Sequence, residues 1–454
     1  MPTLALSMIV RDAESMLGAC LESVRGAVDE IVIGDTGSTD GTPEVARQHG
    51  ARLVSIPWEN DFAQARNRAL EEIRADWVLV LDADEQLDPG ARRVLPSLLD
   101  RRAVVGYQVT IRNYVLNLSD RLWDQPARVN DSGFEPARNF PAYVEHQNVR
   151  LFRRQPEIYF VGRVHETVGH RIAETGGKLG QTAFVIHHFG LAADGETRAR
   201  KNHLYRELGR LKVREAPQNA QAHFELGLVE FDCFHNDVAA LECFNRACQL
   251  DPRLGVAWFF AGLALLRLGR AGKALEAFKQ AESYGHRTAL VRETQGDAYY
   301  NLGQFEAARR AYRCALECAG KSVVLESKLG LAEVRVGRTE AGLRHLRQAI
   351  ECEPQTGELY DRLMVAGVWL GRLDIAATAA ECRLGVSAPH PDAYLRAASI
   401  RAQQHEWRRA AEILRSGLRK FPEAEKLRQG LAEVERQEAL TEQPALATPE
   451  GGGQ

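Results

Sequence analysis

Two carboxylates separated by one residue follow an apolar run in this sequence. Residues 77–81 read Trp-Val-Leu-Val-Leu, which is typical of a buried β-strand, and Asp82, Ala83 and Asp84 come directly after them. Side chains at i and i+2 of an extended strand point the same way, so the two carboxylates would face one ligand at the carboxyl end of the strand. Carboxylate oxygens there suit Mg²⁺ or Mn²⁺. The alternative is that Asp82 only caps a turn while Asp84 is solvated.

The first ninety residues predict the elements that would position this pair. Asp12 is expected to cap a first helix and Thr42 a second, and a third helix at residues 61–73 carries Arg66. The β-α-β-α-β-α-β order predicts an α/β fold whose sheet is mostly parallel and covered on both faces. The four predicted strands lie at residues 4–10, 30–34, 51–56 and 77–81.

The sequence lacks the common phosphate-binding loops. It contains no G-x-x-x-x-G-K-[ST], and no G-x-G-x-x-G follows the first predicted strand. The charge of a bound diphosphate must therefore be met in another way, and a metal on Asp82 and Asp84, aided by Arg66, would meet it. Asp35, which leaves the second strand beside a glycine-containing turn, offers an acceptor-only side chain at the same edge of the sheet.

Charge and hydropathy exclude two further classes of protein. The 58 basic and 61 acidic residues give a net charge of -3, with no like-charge tract of the kind that binds nucleic acid. The longest apolar stretch, residues 256–266, is half the length of the roughly 20 residues that a membrane span needs. The N-terminus has no basic segment before its apolar residues and reads as a strand rather than a leader. We therefore expect a cytoplasmic protein with no membrane span.

From about residue 217 the sequence repeats with a period of 34. Gly262, Gly296 and Gly330 mark the period, and larger residues follow each of them by sixteen positions, at Phe278, Tyr312 and Leu346. This is the tetratricopeptide pattern, in which small residues let paired helices approach and larger ones fill the gap between them. We predict six repeats and a capping helix at residues 217–439, followed by a disordered tail at residues 440–454. The concave groove of such an array usually binds a peptide or protein, although it can also serve self-association.

Four blocks of the first ninety residues resemble one known family. Ser7-Met-Ile-Val-Arg-Asp-Ala-Glu, Gly34-Asp-Thr-Gly-Ser-Thr-Asp-Gly-Thr, Trp58-x-x-Asp-Phe-Ala-x-Ala-Arg-Asn and Leu81-Asp-Ala-Asp-Glu are similar, in order and spacing, to the family 2 glycosyltransferases with the GT-A fold. They look most like the subgroup that fuses this domain to tetratricopeptide repeats, which includes the sublancin-type peptide S-glycosyltransferases. The resemblance implies a GT-A domain at residues 1–216.

The resemblance also implies roles for individual residues at the nucleotide-sugar site. Asp35 would accept a hydrogen bond from the base, which is expected to be uracil, and Arg66 would lie near the phosphates. Asp82, Ala83 and Asp84 would hold the ribose, a Mn²⁺ or Mg²⁺ ion and the diphosphate. Asp12 belongs to the first block, in which many relatives carry an acid at the position of Ala13.

Two later segments extend the resemblance beyond residue 90. Gly162-Arg-Val-His-Glu166 is similar to the family's G-x-[VI]-H-E block, which makes Glu166 the candidate catalytic base, with Asp131 and Glu145 as alternatives. Val185-Ile-His-His188-Phe-Gly is similar to the I-x-H-[YF]-G block. His188 would complete the metal shell or touch the diphosphate, unless it is only a hydrogen-bonded residue at a strand end.

These features predict a metal-dependent glycosyltransferase, and the resemblance implies that transfer inverts the anomeric carbon. It would move a sugar from a nucleotide diphosphate donor, expected to be UDP-linked, to a protein, peptide or glycan acceptor recruited by the repeats. The alternative is a tetratricopeptide scaffold whose first domain binds a nucleotide sugar without transferring it.

Overall fold

The computed structural model describes residues 2–116, 121–122, 125–190, 195–386 and 390–442. The chain forms two compact units, Met1–Asp251 and Pro252–Gln454. The predicted boundary between residues 216 and 217 lies earlier than this division, so the first predicted repeat belongs to the first unit. Most of the predicted tail, from residue 443 onward, lies outside the described residues.

The first unit is built on a mixed β-sheet. Nine strands form this sheet in the order β3-β2-β1-β4-β10-β6-β11-β5, with β9 added beside β10, and β7 and β8 form a separate pair. The first four strands pair in parallel as predicted, but β10 is antiparallel to both β4 and β6, so the whole sheet is mixed rather than mostly parallel. The described strands β1 to β11 are Leu4–Val10, Glu30–Asp35, Arg52–Ser55, Trp77–Val80, Glu85–Leu87, Gly106–Val115, Arg121–Leu122, Gln125–Pro126, Arg128–Val129, Ala142–Arg153 and Leu179–His188.

Helices connect the parallel strands and cover the sheet. The described helices α1 to α8 are Glu14–Ser23, Thr42–Gln48, Phe62–Glu71, Ala91–Leu99, Gly169–Glu174, Gly195–Glu215, Ala220–Leu228 and Asp237–Leu250. A 3-10 turn at Glu135–Ala137 and a π-helical turn at Val229–Cys233 lie between them.

Two of the predicted helix caps are wrong. The N-cap of α1 is Ala13, because Asp12 adopts a left-handed backbone (φ 49°) and accepts a hydrogen bond from the Thr39 amide instead. Thr42 is the first residue of α2, and its hydroxyl donates to Asp40 rather than capping the helix. The carboxylates of Asp12 and Asp40 therefore accept hydrogen bonds from nearby backbone and hydroxyl groups.

Strand β4 is buried on both faces, as its uniformly apolar sequence predicts. Trp77 and Leu79 pack into one hydrophobic cluster, and Val78 and Val80 into another on the opposite face. Each face is covered by helices, which confirms the layered α/β arrangement.

The sequence predicts a strand at residues 149–152, but strand β10 is longer and extends from Ala142 to Arg153. Its first half contains Glu145 and His146, and such polar residues do not indicate a buried strand. Their side chains pair across the sheet with Arg112 and Asn113 of β6. Because the polar residues have cross-strand partners, the strand continues through them.

In the described part of the second unit, consecutive helices pack against one another. A Cβ atom on Gly262 would lie 2.4 Å from the Phe278 ring, and one on Gly296 would lie 2.4 Å from the Tyr312 ring. This confirms the predicted pairing of a small residue with a large one sixteen positions later. None of the helices in the described ranges is long and apolar enough to cross a membrane. The described helices α9 to α19 are Gly255–Arg267, Ala271–Ser283, Ala289–Asn301, Phe305–Ala319, Val323–Arg335, Thr339–Cys352, Gly357–Trp369, Leu373–Leu384, Pro391–Gln403, Trp407–Lys420 and Glu425–Glu442.

Candidate active site

The two carboxylates after β4 lie in a turn. The strand ends at Val80, and the amide of Glu85 donates to the carbonyl of Asp82 at 3.0 Å, which closes the turn. The expectation that Asp82 and Asp84 continue an extended strand is therefore wrong. Because the backbone turns between them, the two side chains meet different partners.

Asp82 lies between two buried arginines. Its Oδ1 atom is 2.6 Å from Nη2 of Arg66, and its Oδ2 atom is 3.3 Å from Nη2 of Arg150. Burial acts to raise the pKa of Asp82, but the charges of Arg66 and Arg150 outweigh it and hold the pKa well below its ordinary value. Asp82 is therefore ionised in this cluster.

Glu85 adds a second buried carboxylate beneath the turn. It accepts the amide hydrogen of Asp82 at 2.8 Å and binds Arg150 at 2.8 Å, and only 2% of it is exposed. Burial raises the pKa of Glu85 to about 7, against the opposing charge of Arg150. The residue thus fixes the turn from below and does not face the open side of the site.

Arg66 also brings Glu166 to the cluster. Nε of Arg66 is 2.6 Å from Oε1 of Glu166, so two carboxylates bind one guanidinium although Glu166 lies 100 residues further along the chain. The neighbouring Asn67 exchanges two hydrogen bonds with the backbone of Phe160, at 2.9 and 2.8 Å, which fixes the loop before Glu166 against α3. His165 holds a left-handed backbone (φ 56°), a strained conformation of the kind found at functional sites.

Asp84 faces His188. Strand β11 pairs with β5 so that His188 lies opposite Glu85, and the Phe189 amide donates to the carbonyl of Asp84 at 3.0 Å. Oδ2 of Asp84 is 3.4 Å from Nε2 of His188. Burial disfavours both charges, yet the contact between the two groups lowers the pKa of Asp84 and raises that of His188.

The space between Asp84 and His188 depends on Gly190. A Cβ atom at this position would lie 2.2 Å from Oδ2 of Asp84 and 2.5 Å from Nε2 of His188. Any larger residue would occupy the place where these two atoms face each other. Glycine is therefore required beside the pair.

The pair fits a hard cation that takes few protein ligands. Within the described part of the chain no three His, Cys, Asp or Glu side chains converge to hold a metal, and both oxygens of Asp82 face arginines. Mg²⁺ and Mn²⁺ commonly bind one or two protein ligands and fill the remaining positions with water and phosphate oxygens. Asp84 and His188 match this requirement.

Helix α6 adds two residues to the open side of the site. The ammonium of Lys201 lies 5.7 Å from the centre of the Tyr205 ring, and the nearby Tyr205 and Asp84 raise the pKa of Lys201. Tyr205 packs edge-on against Phe62 and His165, with ring centres 6.0 and 5.9 Å apart. Lys201 therefore places a positive charge close to the carboxylates of the turn.

Asp12 and Asp35 lie at the same edge of the sheet, on the ends of β1 and β2. Oδ1 of Asp35 accepts hydrogen bonds from the Ser38 amide and hydroxyl at 2.9 and 2.7 Å. Oδ1 of Asp12 binds the Thr39 amide at 2.7 Å. Both side chains stiffen the loop of residues 36–41. Oδ2 of Asp35 has no partner among the described hydrogen bonds, whereas Oδ2 of Asp12 lies 3.9 Å from Nε of Arg11. Their roles in binding a nucleotide stay predictions.

The two alternative bases lie in other networks. Glu145 binds Arg112 at 2.9 Å and approaches Arg128 at 3.8 Å, and Asp131 accepts a hydrogen bond from the Tyr143 hydroxyl at 3.0 Å. Glu166 is the candidate that shares an arginine with Asp82.

Sequence reasoning did not select Arg150, Glu85, Asn113 or Tyr205. Glu85 stands within the carboxylate motif, so its spacing could have drawn attention to it. The other three depend on strand order and helix placement, and nothing in their local sequence marks them.

Comparison with known proteins agrees with this architecture. Residues 6–158 match the family model for glycosyl transferase family 2. Residues 238–287 and 292–319 match two models of the tetratricopeptide repeat. Glu166 and His188 lie beyond the matched segment of the first model.

Three curated proteins show similarity to parts of the chain. A TPR repeat-containing protein of Synechococcus elongatus is 38% identical over 37% of this chain and 36% of its own length. The lipopolysaccharide core biosynthesis glycosyltransferase LpsC of Rhizobium meliloti is 33% identical over 37% of this chain and 58% of its own. The SPbeta prophage-derived glycosyltransferase SunS of Bacillus subtilis is 32% identical over 36% of this chain and 34% of its own.

The chain thus matches between about a third and three fifths of the length of these relatives. The matched family segment covers β1 to β4, the carboxylate turn and β10, which are the elements that place Asp82 between its arginines. The first unit therefore carries a glycosyl transferase family 2 domain, which is followed along the chain by tetratricopeptide repeats.

Proposed function

We propose that the protein transfers a sugar from a nucleotide diphosphate donor, with UDP as the expected nucleotide, to an acceptor with inversion at the anomeric carbon. The observation that carries the proposal is the shared contact of Asp82 and Glu166 with Arg66. This contact joins the nucleotide edge of the family 2 domain to a carboxylate that can act on an acceptor. Sugar transfer requires the donor site and the base on the acceptor to lie next to each other.

The donor would bind along the carboxyl ends of β1, β2 and β4. Asp35 and Asp12 would offer acceptor oxygens to the nucleoside, and the turn at Ala83 would lie beside the ribose and diphosphate. Asp84 and His188 would hold Mn²⁺ or Mg²⁺, which when bound offsets the negative charge that develops on the departing diphosphate. Lys201 adds a fixed positive charge on the same side.

Glu166 would act as the base on the acceptor side. It accepts the proton of the acceptor group while the bond to the anomeric carbon forms and the bond to the diphosphate breaks. Arg66 occupies only its Oε1 atom among the described hydrogen bonds, which leaves Oε2 for the acceptor. Arg66 also keeps Glu166 and Asp82 in fixed relative positions, so the base and the donor site are aligned before substrate binds.

A surface of the second unit suits recruitment of the acceptor. Val365, Val368 and Trp369 of α15 are each more than two-fifths exposed, and with Arg396 and Ile400 of α17 they line a groove of about 390 Å³. An exposed apolar groove of this kind commonly marks an interaction site. A peptide, protein or glycan acceptor is the proposed occupant of this groove. We also propose that the protein acts in the cytoplasm.

The proposal is tested by nucleotide release from a panel of UDP- and GDP-sugars in the presence of Mn²⁺, Mg²⁺ or a chelator. We expect one donor to release its nucleotide only when a divalent cation is present. A cation held by Asp84 and His188 would neutralise the departing diphosphate, and without it that charge would remain. Donor binding is measured in parallel by calorimetry. A protein that neither binds nor cleaves any donor would contradict the proposal and favour a scaffold.

Replacing the base gives a second test. We expect Glu166→Gln to lower nucleotide release about 10²-fold with unchanged donor affinity, because the amide cannot take a proton although it can still accept a hydrogen bond from Arg66. Glu145→Gln is the matched control, since this carboxylate pairs with Arg112 in another network. A larger loss in the Glu145 variant would show that the base is misassigned.

A further inference from the structure

We infer that Asn113 is a positioning residue, which fixes the tautomer of His188 so that Nε2 presents a lone pair beside Asp84. The inference rests on the proposed function, because it assigns the pair to a divalent cation such as Mn²⁺. It concerns a residue that contacts neither the donor edge of β1 and β2 nor Glu166. The strand register and the hydrogen bonds of its side-chain amide carry the inference.

The sheet brings the three groups together. Strand β11 lies between β6 and β5, so His188 is opposite Asn113 on one side and Glu85 on the other. Nδ1 of His188 is 2.7 Å from Oδ1 of Asn113, while its Nε2 faces Oδ2 of Asp84 at 3.4 Å. The imidazole is therefore held at both nitrogens.

The orientation of the Asn113 amide follows from a carbonyl. Its Nδ2 atom lies 3.0 Å from the carbonyl oxygen of Val144, which can only accept a hydrogen bond. The second hydrogen of the same nitrogen points to Nδ1 of His146 at 2.8 Å. A reversed amide would set two acceptors against each other at the Val144 carbonyl, so Oδ1 must face His188.

The tautomer of His188 follows from that orientation. Because Oδ1 of Asn113 only accepts, Nδ1 of His188 must carry a hydrogen, and in the neutral ring Nε2 then has a lone pair. This lone pair and the Asp84 carboxylate face each other at 3.4 Å, beside a glycine whose Cβ would collide with both. At 3.4 Å the lone pair and the carboxylate need a positive charge between them, which a proton on Nε2 supplies in the imidazolium form and a divalent cation would supply when bound. A ligand orientation fixed in this way is typical of histidines that bind metals.

Asn113 is suited to this task because it is buried and fully paired. Only 3% of the residue is exposed, and both hydrogens and the oxygen of its amide have partners. The neighbouring Tyr114 makes the equivalent contact to the neighbouring histidine, since its hydroxyl lies 2.7 Å from Nδ1 of His187. Tyr114 therefore offers a matched control on the same strand.

The test measures the tautomer and the metal separately, on the full chain. Histidine ¹⁵N shifts at alkaline pH, assigned with His188→Ala, should show hydrogen on Nδ1 of His188 in the wild type and on Nε2 in Asn113→Leu. Binding of Mn²⁺ alone, measured by the signal of the free ion in electron paramagnetic resonance, should weaken about 10- to 100-fold in Asn113→Leu. Tyr114→Phe should bind Mn²⁺ as the wild type does.

Two further variants guard against a folding defect. Asn113→Ala and Asn113→Val remove the acceptor with side chains smaller than leucine, and both should lose the tautomer and Mn²⁺ binding. Wild-type Mn²⁺ binding that survives in Asn113→Leu and Asn113→Ala would overturn the inference alone. If the wild type binds no Mn²⁺, the metal dependence of the proposed function fails, and the inference fails with it.

Discussion

Asp84→Asn is expected to lower nucleotide release about 10³-fold at saturating donor and Mn²⁺. The carboxylate is the charged member of the pair that faces Nε2 of His188 at 3.4 Å, and the substitution removes its charge while keeping its shape. A bound cation contributes several kcal/mol to transition-state stabilisation, and about 4 kcal/mol corresponds to this factor. Steady-state release and Mn²⁺ affinity, measured on the same preparation, check the prediction.

Asp88→Asn is the matched control for this variant. Asp88 repeats the arrangement one histidine earlier, because its Oδ2 atom lies 3.5 Å from Nε2 of His187, and its Oδ1 accepts the Gly90 amide hydrogen. An asparagine at this position keeps the acceptor that the turn needs. We expect release within threefold of the wild type, and a comparable loss in both variants would contradict a specific role for Asp84.

Arg66→Met is expected to destabilise the first unit by about 3 to 5 kcal/mol, as is usual when one partner of a buried ion pair is removed. Arg66 is 6% exposed and binds Asp82 and Glu166, each at 2.6 Å. Without it Asp82 keeps only Arg150, and Glu166 loses its described ion-pair partner. Methionine fills similar volume, so the lost charge rather than a cavity determines the effect. Nucleotide release should fall as well, since the base and the donor site lose their common contact.

Hydrogen exchange of the β4 amides measures this effect within the first unit. The free energy of opening should fall by the stated amount in Arg66→Met. Arg68→Met, on the same helix, changes an exposed arginine that contacts Glu71 at 3.5 Å, and it should alter the opening free energy by less than about 1 kcal/mol. Equal protection in the two variants would mean that Arg66 does not neutralise the buried carboxylates.

The sequence was sufficient for the parts of the fold that depend on local patterns. The apolar run ending at Leu81 predicts the central strand, and Asp61 caps α3 by accepting from the Gln64 amide, at the start of the helix that the pattern predicts. The period of 34 identifies Gly262 and Gly296 because helix packing requires a small residue there whatever the rest of the chain does. Local patterns succeed where one element and its immediate neighbour determine the residue.

The parts that failed depend on strand order and register. Arg150 reaches Asp82 only because β10 is inserted antiparallel beside β4, and no local pattern distinguishes this insertion from a continued parallel sheet. Asn113 meets His188 through the pairing of β6 with β11. The spacing of Asp82 and Asp84 fits both an extended strand and a turn, so the sequence alone does not distinguish them. The hydrogen bond from the Glu85 amide to the Asp82 carbonyl shows that the turn forms.

The position of β10 has a consequence for the nascent chain. Asp82 leaves the ribosome 68 residues before Arg150, an interval of roughly 3 to 14 s at common elongation rates. During that time β4, which is wholly apolar, has an open edge on the side that β10 later covers, and Asp82 lacks one of its two counter-ions. The first unit therefore cannot complete its fold during translation until β10 has emerged. In that interval it exposes an apolar strand edge of the kind that chaperones bind.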